Sequence, residues 1–357
     1  MELASTFGQR LKAARIMAGL SMDNLVERLG KRLSKAAISK YENGLMMPDS
    51  NNLLLLAEAL NVGPDFFFSA KSVDFSSMNF RKKAALGEKA IKSLTERIKD
   101  AMNRYIELET LLGLDVSFHN PLEDVEVGDV HDIEEAALKL RSVWNIGHDA
   151  AIPNLLNLLE EHSLRVIELD EHAHFDGLSG KVDGYPFIVI NRKLPTDRKR
   201  LTALHEFAHQ TLKFKSALPA NSVEKLCHAF GGAFLMPSNV LRRELGEKRN
   251  EISLPELYAL KKEYGISMQA IMVRAKQTGI ISEYVFEQFM RTMSAHGWRK
   301  DEPVQYPAVD APHRFELLLH RALAEGVISI SKAAYLARKS VSEIEKELAS
   351  GDADSHP

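Results

Sequence analysis

The stretch LTALHEFAHQTL, residues 201–212, places two histidines four apart with a glutamate directly after the first. Read as a helix, four residues advance slightly more than one turn, so His205 and His209 project from one face and can offer two imidazoles to one tetrahedral Zn2+. Glu206 lies about a 100° step further round, within reach of a water beside the metal without being a ligand itself. Metal-assisted hydrolysis needs this set: the cation lowers the water's pKa, and the carboxylate takes its proton and passes it to the leaving amine.

Two imidazoles do not complete a zinc site. His209 is followed by QTLKF, without the glycine and third histidine of the metzincin extension. A glutamate on a following helix is the other common solution. VEKLCHAFGGAFLMP, from Val223, supplies Glu224, with Cys227 and His228 on the same helical face. His228, one turn beyond Glu224, stays open as a ligand or as an oxyanion stabiliser. Cys227 reads as a small core residue, and Met236 and Pro237 as packing and a helix stop.

Outward from this pair, the sequence is mixed. LRVIEL (164–169) and FIVIN (187–191) are β-branched runs that predict strands, with DGLSGKVDG between them supplying turn glycines. Ile133 to Val143 and Ala150 to Glu161 are helical by period, which predicts a small sheet backed by helices. The charges of LPTDRKR read as a solvated lead-in to the histidine helix. Beyond it, residues 252–282 are helical with turns at Gly265 and Gly279, a continuation of the same module closing over the cleft.

A strand ending in IVIN, a basic linker, HEFAH and then E…AF…FLMP resemble the ImmA/IrrE family of metallopeptidases over roughly residues 130–240. The resemblance implies a zincin-like α+β fold in which His205, His209 and Glu224 hold zinc and Glu206 is the catalytic base. The sequence departs from that family at His228, where asparagine is usual, and at Cys227, where a small residue is usual.

The first seventy residues read differently. Phe7, Leu11, Ala14 and Met17 recur at helical spacing, and Gly19 ends the run. Ser21 caps a second helix that stops at Gly30, a third runs SKAAISKYENG from Ser34, and Pro48-Asp49 open a leucine-rich fourth before Gly63-Pro64 and FFF. In the third helix Ala37, Ile38 and Tyr41 can face inward while Ser34, Lys35, Ala36, Ser39 and Lys40 form a small, basic outer face suited to a major groove. ISKYENG…P followed by a leucine-rich helix and ALNV resembles the XRE family of helix-turn-helix domains over about sixty residues. Met22 stands where that family often has a DNA-contacting glutamine, and the inter-helix turn GKRLS is about two residues longer than usual.

From Phe80 to Leu112 a charged helical segment carries a heptad stripe of Ile91, Leu94, Ile98, Ala101, Tyr105, Leu108 and Leu112. The stripe could pair with its twin in a homodimer or pack onto the chain's own next domain. Near the C-terminus, ISISKAAYLARKSVSEIEKEL reads equally as a second helix-turn-helix or as a bundle or dimerisation element, and GDADSHP as a disordered tail.

Composition sets outer limits. Forty-six basic against 49 acidic residues give a net charge of −3 over 357 residues, so any nucleic-acid contact is a local patch. One cysteine, Cys227, excludes an internal disulfide and a cysteine-built zinc ribbon. No apolar run reaches the roughly 18 residues of a membrane span, and the N-terminus lacks a signal peptide's apolar block, so a cytoplasmic protein is expected.

These readings predict a multidomain chain: an all-α helix-turn-helix domain (1–70), a helical linker (71–125), an α+β zincin-like metallopeptidase domain (126–282) and a helical C-terminal region (283–357). The expected activity is a transcriptional regulator that binds a double-stranded DNA operator and uses Zn2+ to cleave a protein such as a repressor, or is itself controlled by cleavage. The alternative is a transcription factor whose peptidase-like domain is a non-cleaving sensor of a ligand or partner.

Overall fold

Four short helices open the chain. The first, α1, spans Glu2–Met17. Each of the next three starts where a side chain accepts a backbone N–H: Ser21 from Asn24 ahead of α2 (Met22–Arg28), Ser34 from Ala37 ahead of α3 (Lys35–Glu42), and Asp49 from Asn52 ahead of α4 (Ser50–Leu60). A 3-10 turn at Pro64–Phe68 follows and sends Phe66 and Phe67 into a core with Phe7, Leu11, Leu25, Ile38, Tyr41 and Leu56. Arg15 on α1 clamps the buried Glu42 of α3 through Nε at 2.6 Å and Nη2 at 2.8 Å, a bidentate pair that fixes the angle of the third helix.

The computed structural model describes residues 2–68, 77–78, 87–114, 117–171, 175–182 and 184–353. It divides into two compact units: residues 1–75, 81–116 and 313–357 form one, and residues 76–80 and 117–312 the other. In the first unit the heptad helix α5 (Glu88–Leu111) buries Leu94, Ile98, Ala101, Tyr105 and Leu108; the start of the stretch read as helical, residues 80–86, lies outside the described residues.

The second unit is α+β. Its four-stranded sheet has the order β1-β4-β5-β3, with β1 at Ser77–Met78, β3 at Arg165–Leu169, β4 at Gly177–Val182 and β5 at Tyr185–Asn191. β3 is parallel to β5, Arg165 opposite Phe187, while β4 runs antiparallel to β5, Ser179 opposite Ile188. A separate parallel pair joins β2 (Glu126–Val127) to β6 (Lys213–Phe214). Helices α6 (Val130–Val143), α7 (Leu155–Glu161), α8 (Thr196–Thr211), α9 (Ala220–Leu235), α10 (Ser238–Leu245), α11 (Leu254–Tyr264), α12 (Met268–Gln277) and α13 (Glu283–Ala295) surround the larger sheet's core. That core joins Ile188 and Ile190 of β5 to Leu204 and Phe207 of α8 and Phe230 and Phe234 of α9. The twelve residues from Leu254 to Gly265 illustrate local consistency: Ser253 and Glu256 form a reciprocal capping box, and Gly265 ends α11 in the left-handed region at φ 61°.

Two sequence expectations change here. DGLSGKVDG, read as turn glycines, contains the whole of β4. A Cβ at Gly177 would stand 2.6 Å from Thr202 Cγ2 on α8 and 2.9 Å from the Val189 carbonyl, so glycine lets a strand lie flush against the histidine helix. LPTDRKR, read as solvated, holds the buried Asp197 and Arg200.

After the second unit, α14 (Arg314–Ala324), α15 (Ile330–Ala337) and α16 (Val341–Ala353) return to the first. Leu318, Leu319, Ala322, Ile328, Leu336 and Ile344 pack with Tyr105 and Leu108, so the heptad stripe of α5 is covered by α1 on one side and these helices on the other. α16 takes in the first three residues of the expected tail; residues 354–357 lie outside the described residues. Among the described residues, no helix is long and apolar enough to cross a membrane.

Candidate metal centre and nucleic-acid face

The site grows from α8 and α9 lying side by side. Their close approach depends on Gly231, where a Cβ would meet the Leu204 Cβ at 3.3 Å and the Leu201 carbonyl at 3.5 Å. At the start of α8, Asn191 closes β5: its Nδ2 donates to the Phe175 carbonyl at 2.8 Å and its Oδ1 accepts from the Lys193 N–H at 3.1 Å. Strand and helix are thereby joined by a fixed turn.

With that frame in place, His205, His209 and Glu224 converge. Their ligand atoms lie within 4.8 Å of one another and form the metal-competent cluster found among the described residues. His205 Nε2 and His209 Nε2 are 3.1 Å apart, His209 Nε2 and Glu224 Oε1 3.4 Å, and His205 Nε2 and Glu224 Oε2 3.5 Å. Metal–ligand bonds of about 2.0–2.1 Å at the tetrahedral angle require ligand atoms about 3.3 Å apart. The three edges therefore fit one face of a zinc tetrahedron, and two nitrogens with one carboxylate are a donor set zinc accepts.

Glu206 sits beside this face, 8% exposed, and accepts a hydrogen bond from Ser179 Oγ at 2.8 Å. Ser179 is fully buried on β4, so a strand packed against α8 orients the carboxylate. Sequence reasoning missed this serine because it had no strand there, and a serine in the glycine-flanked run GLSG carries no clear periodic signal.

The remaining polar neighbours are placed around the cluster. Cys227 is fully buried, as expected of a core residue, and its Sγ lies 3.5 Å from His209 Nδ1. Were His209 Nε2 to ligate a metal, Nδ1 would carry the ring proton and donate it toward this sulfur, which would fix the ring's orientation. His228 is outside the three-residue cluster; its ring centroid is 4.0 Å from that of His205. It stands at the edge of a cavity of about 820 Å3 lined also by Arg198, Lys225, Lys276, Arg299 and Lys300. Basic side chains thus outnumber the acidic Asp197 and Glu302 on a wall that also carries apolar residues such as Leu201, Val273 and Met290.

In the first unit, α3 exposes part of the face expected to point outward, while Ala37 and Ser39 are both half-buried. Lys35, Ala36 and Lys40 are exposed, and Ile38 and Tyr41 are in the core. Ser34 is exposed but uses its side chain to cap α3. Lys35 Nζ rests on Asp23 Oδ2 at 2.9 Å, an exposed pair. Such a pair holds weakly in water, so the ammonium can exchange its partner for a phosphate.

Comparison with known families agrees with both regions. A family model described as Helix-turn-helix matches residues 11–67, and a peptidase family model described as IrrE N-terminal-like domain matches residues 159–276. None of the curated proteins matches the chain.

Proposed function

Because the chain joins a helix-turn-helix region of the XRE type to a peptidase-like domain of the ImmA/IrrE type, we propose that it is a DNA-binding transcriptional regulator carrying a zinc-dependent endopeptidase. The observation that carries the reading is the triangle of His205 Nε2, His209 Nε2 and Glu224, with edges of 3.1, 3.4 and 3.5 Å, beside a buried glutamate that is not part of it.

Zinc in that triangle would polarise a substrate carbonyl and lower the pKa of a water. The chain's own residues do the rest. Glu206 takes the proton of the attacking water and delivers it to the leaving amine nitrogen. Ser179, donating to Oε2, holds that carboxylate in position. Cys227 holds His209 through its outer nitrogen. His228, beside the His205 ring, is the side chain available to stabilise negative charge on the attacked carbonyl oxygen.

On the DNA side, the exposed Lys35, Ala36 and Lys40 with Ser39 form the groove-facing surface, and Ser34 fixes the start of that helix. A two-fold operator would be read by two copies of the chain. The substrate of the peptidase site is a protein partner, such as a repressor.

Metal analysis tests the ligand set. Wild type is expected to hold one equivalent of zinc, and His209→Ala and Glu224→Ala to lose it; full retention by both would refute the assignment. Glu206→Gln should keep zinc and lose peptide hydrolysis. A second reading, a non-cleaving sensor domain, is favoured by the 820 Å3 basic cavity beside His228; under it, Glu206→Gln leaves operator regulation unchanged.

A further inference from the structure

We propose that the cavity beside His228 is the groove in which the peptidase site holds an acidic segment of its protein substrate, within about four residues of the scissile bond. The proposal rests on the hydrolytic reading above and names the chemistry of the substrate.

The groove is continuous with the metal cluster. Its wall takes Arg198 and Leu201 from α8, the helix of His205 and His209, and Lys225 and His228 from α9, the helix of Glu224. The His228 ring centroid is 4.0 Å from that of His205. Leu201 stands one helical turn before His205 and Arg198 two turns before it. The rise of a helix puts Arg198 about 10 Å along α8 from His205, the reach of about three residues of extended peptide. A peptide cut at the cluster therefore brings its flanking side chains to this wall.

The acidic side chains of the wall are already engaged. Asp197 and Glu302 both accept from the buried Lys261, at 2.9 and 2.7 Å, and Glu302 also accepts the Met268 and Gln269 N–H groups at the start of α12. Lys225, Arg299 and Lys300 are exposed, and no carboxylate among the described residues pairs with any of them. Arg198 and Lys276 hold Asp176 and Glu283 at 2.7 and 3.1 Å, in solvent-facing pairs that exchange easily in water. Leu201, Val273 and Met290 supply the apolar part of the same wall. Cations without partners beside aliphatic side chains complement carboxylates that alternate with an apolar residue, as an acidic peptide presents them. A single-stranded nucleic acid would meet the charge but find no Phe, Tyr or Trp on this wall to stack its bases.

The zinc-loaded full-length chain, given casein and denatured serum albumin, should cut where Asp and Glu are enriched roughly fivefold or more within about four positions on one side of the bond. Lys225→Glu, Arg299→Glu and Lys300→Glu combined should lose that enrichment, select Lys and Arg instead, and keep zinc. Binding is read separately: zinc-loaded Glu206→Gln should hold a labelled Glu-Leu-Glu-Leu-Glu peptide roughly tenfold tighter than Lys-Leu-Lys-Leu-Lys by fluorescence anisotropy, and the three charge reversals should invert the order. Cutting without acidic enrichment, enrichment that survives the reversals, or equal binding of the two peptides overturns this inference and leaves the hydrolytic reading standing. Loss of zinc on reversal overturns it too, by making these residues supports of the cluster. An oligo-dT strand bound more tightly than the acidic peptide, and released by the reversals, would assign the wall to nucleic acid. A chain that cuts neither protein sinks both readings.

Discussion

Arg200 donates to Asp310 at 2.7 Å with both side chains fully buried, and this contact ties the histidine helix to residues more than a hundred positions further along the chain. Arg200 Nη2 also donates to the Ile152 carbonyl at 2.8 Å, and Asp310 accepts the first two N–H groups of α7, from Leu155 and Leu156, at 2.9 and 2.8 Å. One ion pair thus caps α7 and anchors α8. Removing one partner of a buried pair leaves an uncompensated charge and costs about 3–5 kcal/mol. Arg200→Met and Asp310→Asn should each lower the denaturant midpoint accordingly. A midpoint within experimental error of wild type would show that the pair does not hold the helix.

Ser179→Ala tests the strand's hold on the base. A hydrogen bond to a charged group is worth about 1.5–3 kcal/mol, so kcat should fall roughly tenfold to a hundredfold while zinc content is unchanged. Loss of zinc in this variant would mean that the serine supports the ligands and not the carboxylate.

Gly8→Ala probes the helix-turn-helix core. A Cβ there would stand 2.5 Å from the Tyr41 carbonyl oxygen and 2.6 Å from that of Glu42, both backbone atoms of α3. Backbone cannot rotate aside as a side chain can, so the helices must separate, at a cost of about 1–3 kcal/mol or more. The expected results are a lower melting temperature and weaker operator binding with zinc content intact. An unchanged melting temperature would contradict the close approach.

His162 supplies a pH test away from the metal. Its ring stacks on Trp144 at 4.2 Å and 5°, and burial pushes its pKa below 6.5. The folded state therefore prefers the neutral ring, and the unfolded chain binds the proton first as pH falls. Stability is full above the unfolded pKa and declines below about pH 6.5. His162→Phe should flatten the melting temperature between about pH 7 and 5 relative to wild type. An equal slope in both proteins would assign the pH dependence to other groups.

The candidate centre was legible in the sequence wherever the chemistry is local. The i, i+4 spacing of His205 and His209 is helix geometry, and Glu224 follows on the next helix in a recognisable run. The capping serine of α2 was readable for the same reason, whereas Ser34, read as the first residue of the third helix and part of its outer face, proves to be that helix's cap. β4 was not, because its glycines carry the signal of a turn, and the reason for them is a helix that presses on the strand. Asp197 and Arg200 were misread because charge predicts exposure only until a buried partner is known, and Lys261 and Asp310 lie far along the chain.

By itself the sequence determined which short segments become helices, which side chains cap them, and which residues one turn of helix brings to a common face, since each follows from interactions within a few positions. Tertiary structure alone decided what covers the heptad stripe of α5, which strand supports Glu206, and which buried charges neutralise one another. Those outcomes depend on pairings between distant residues, where hydrophobic burial and charge compensation select a partner that no local pattern specifies.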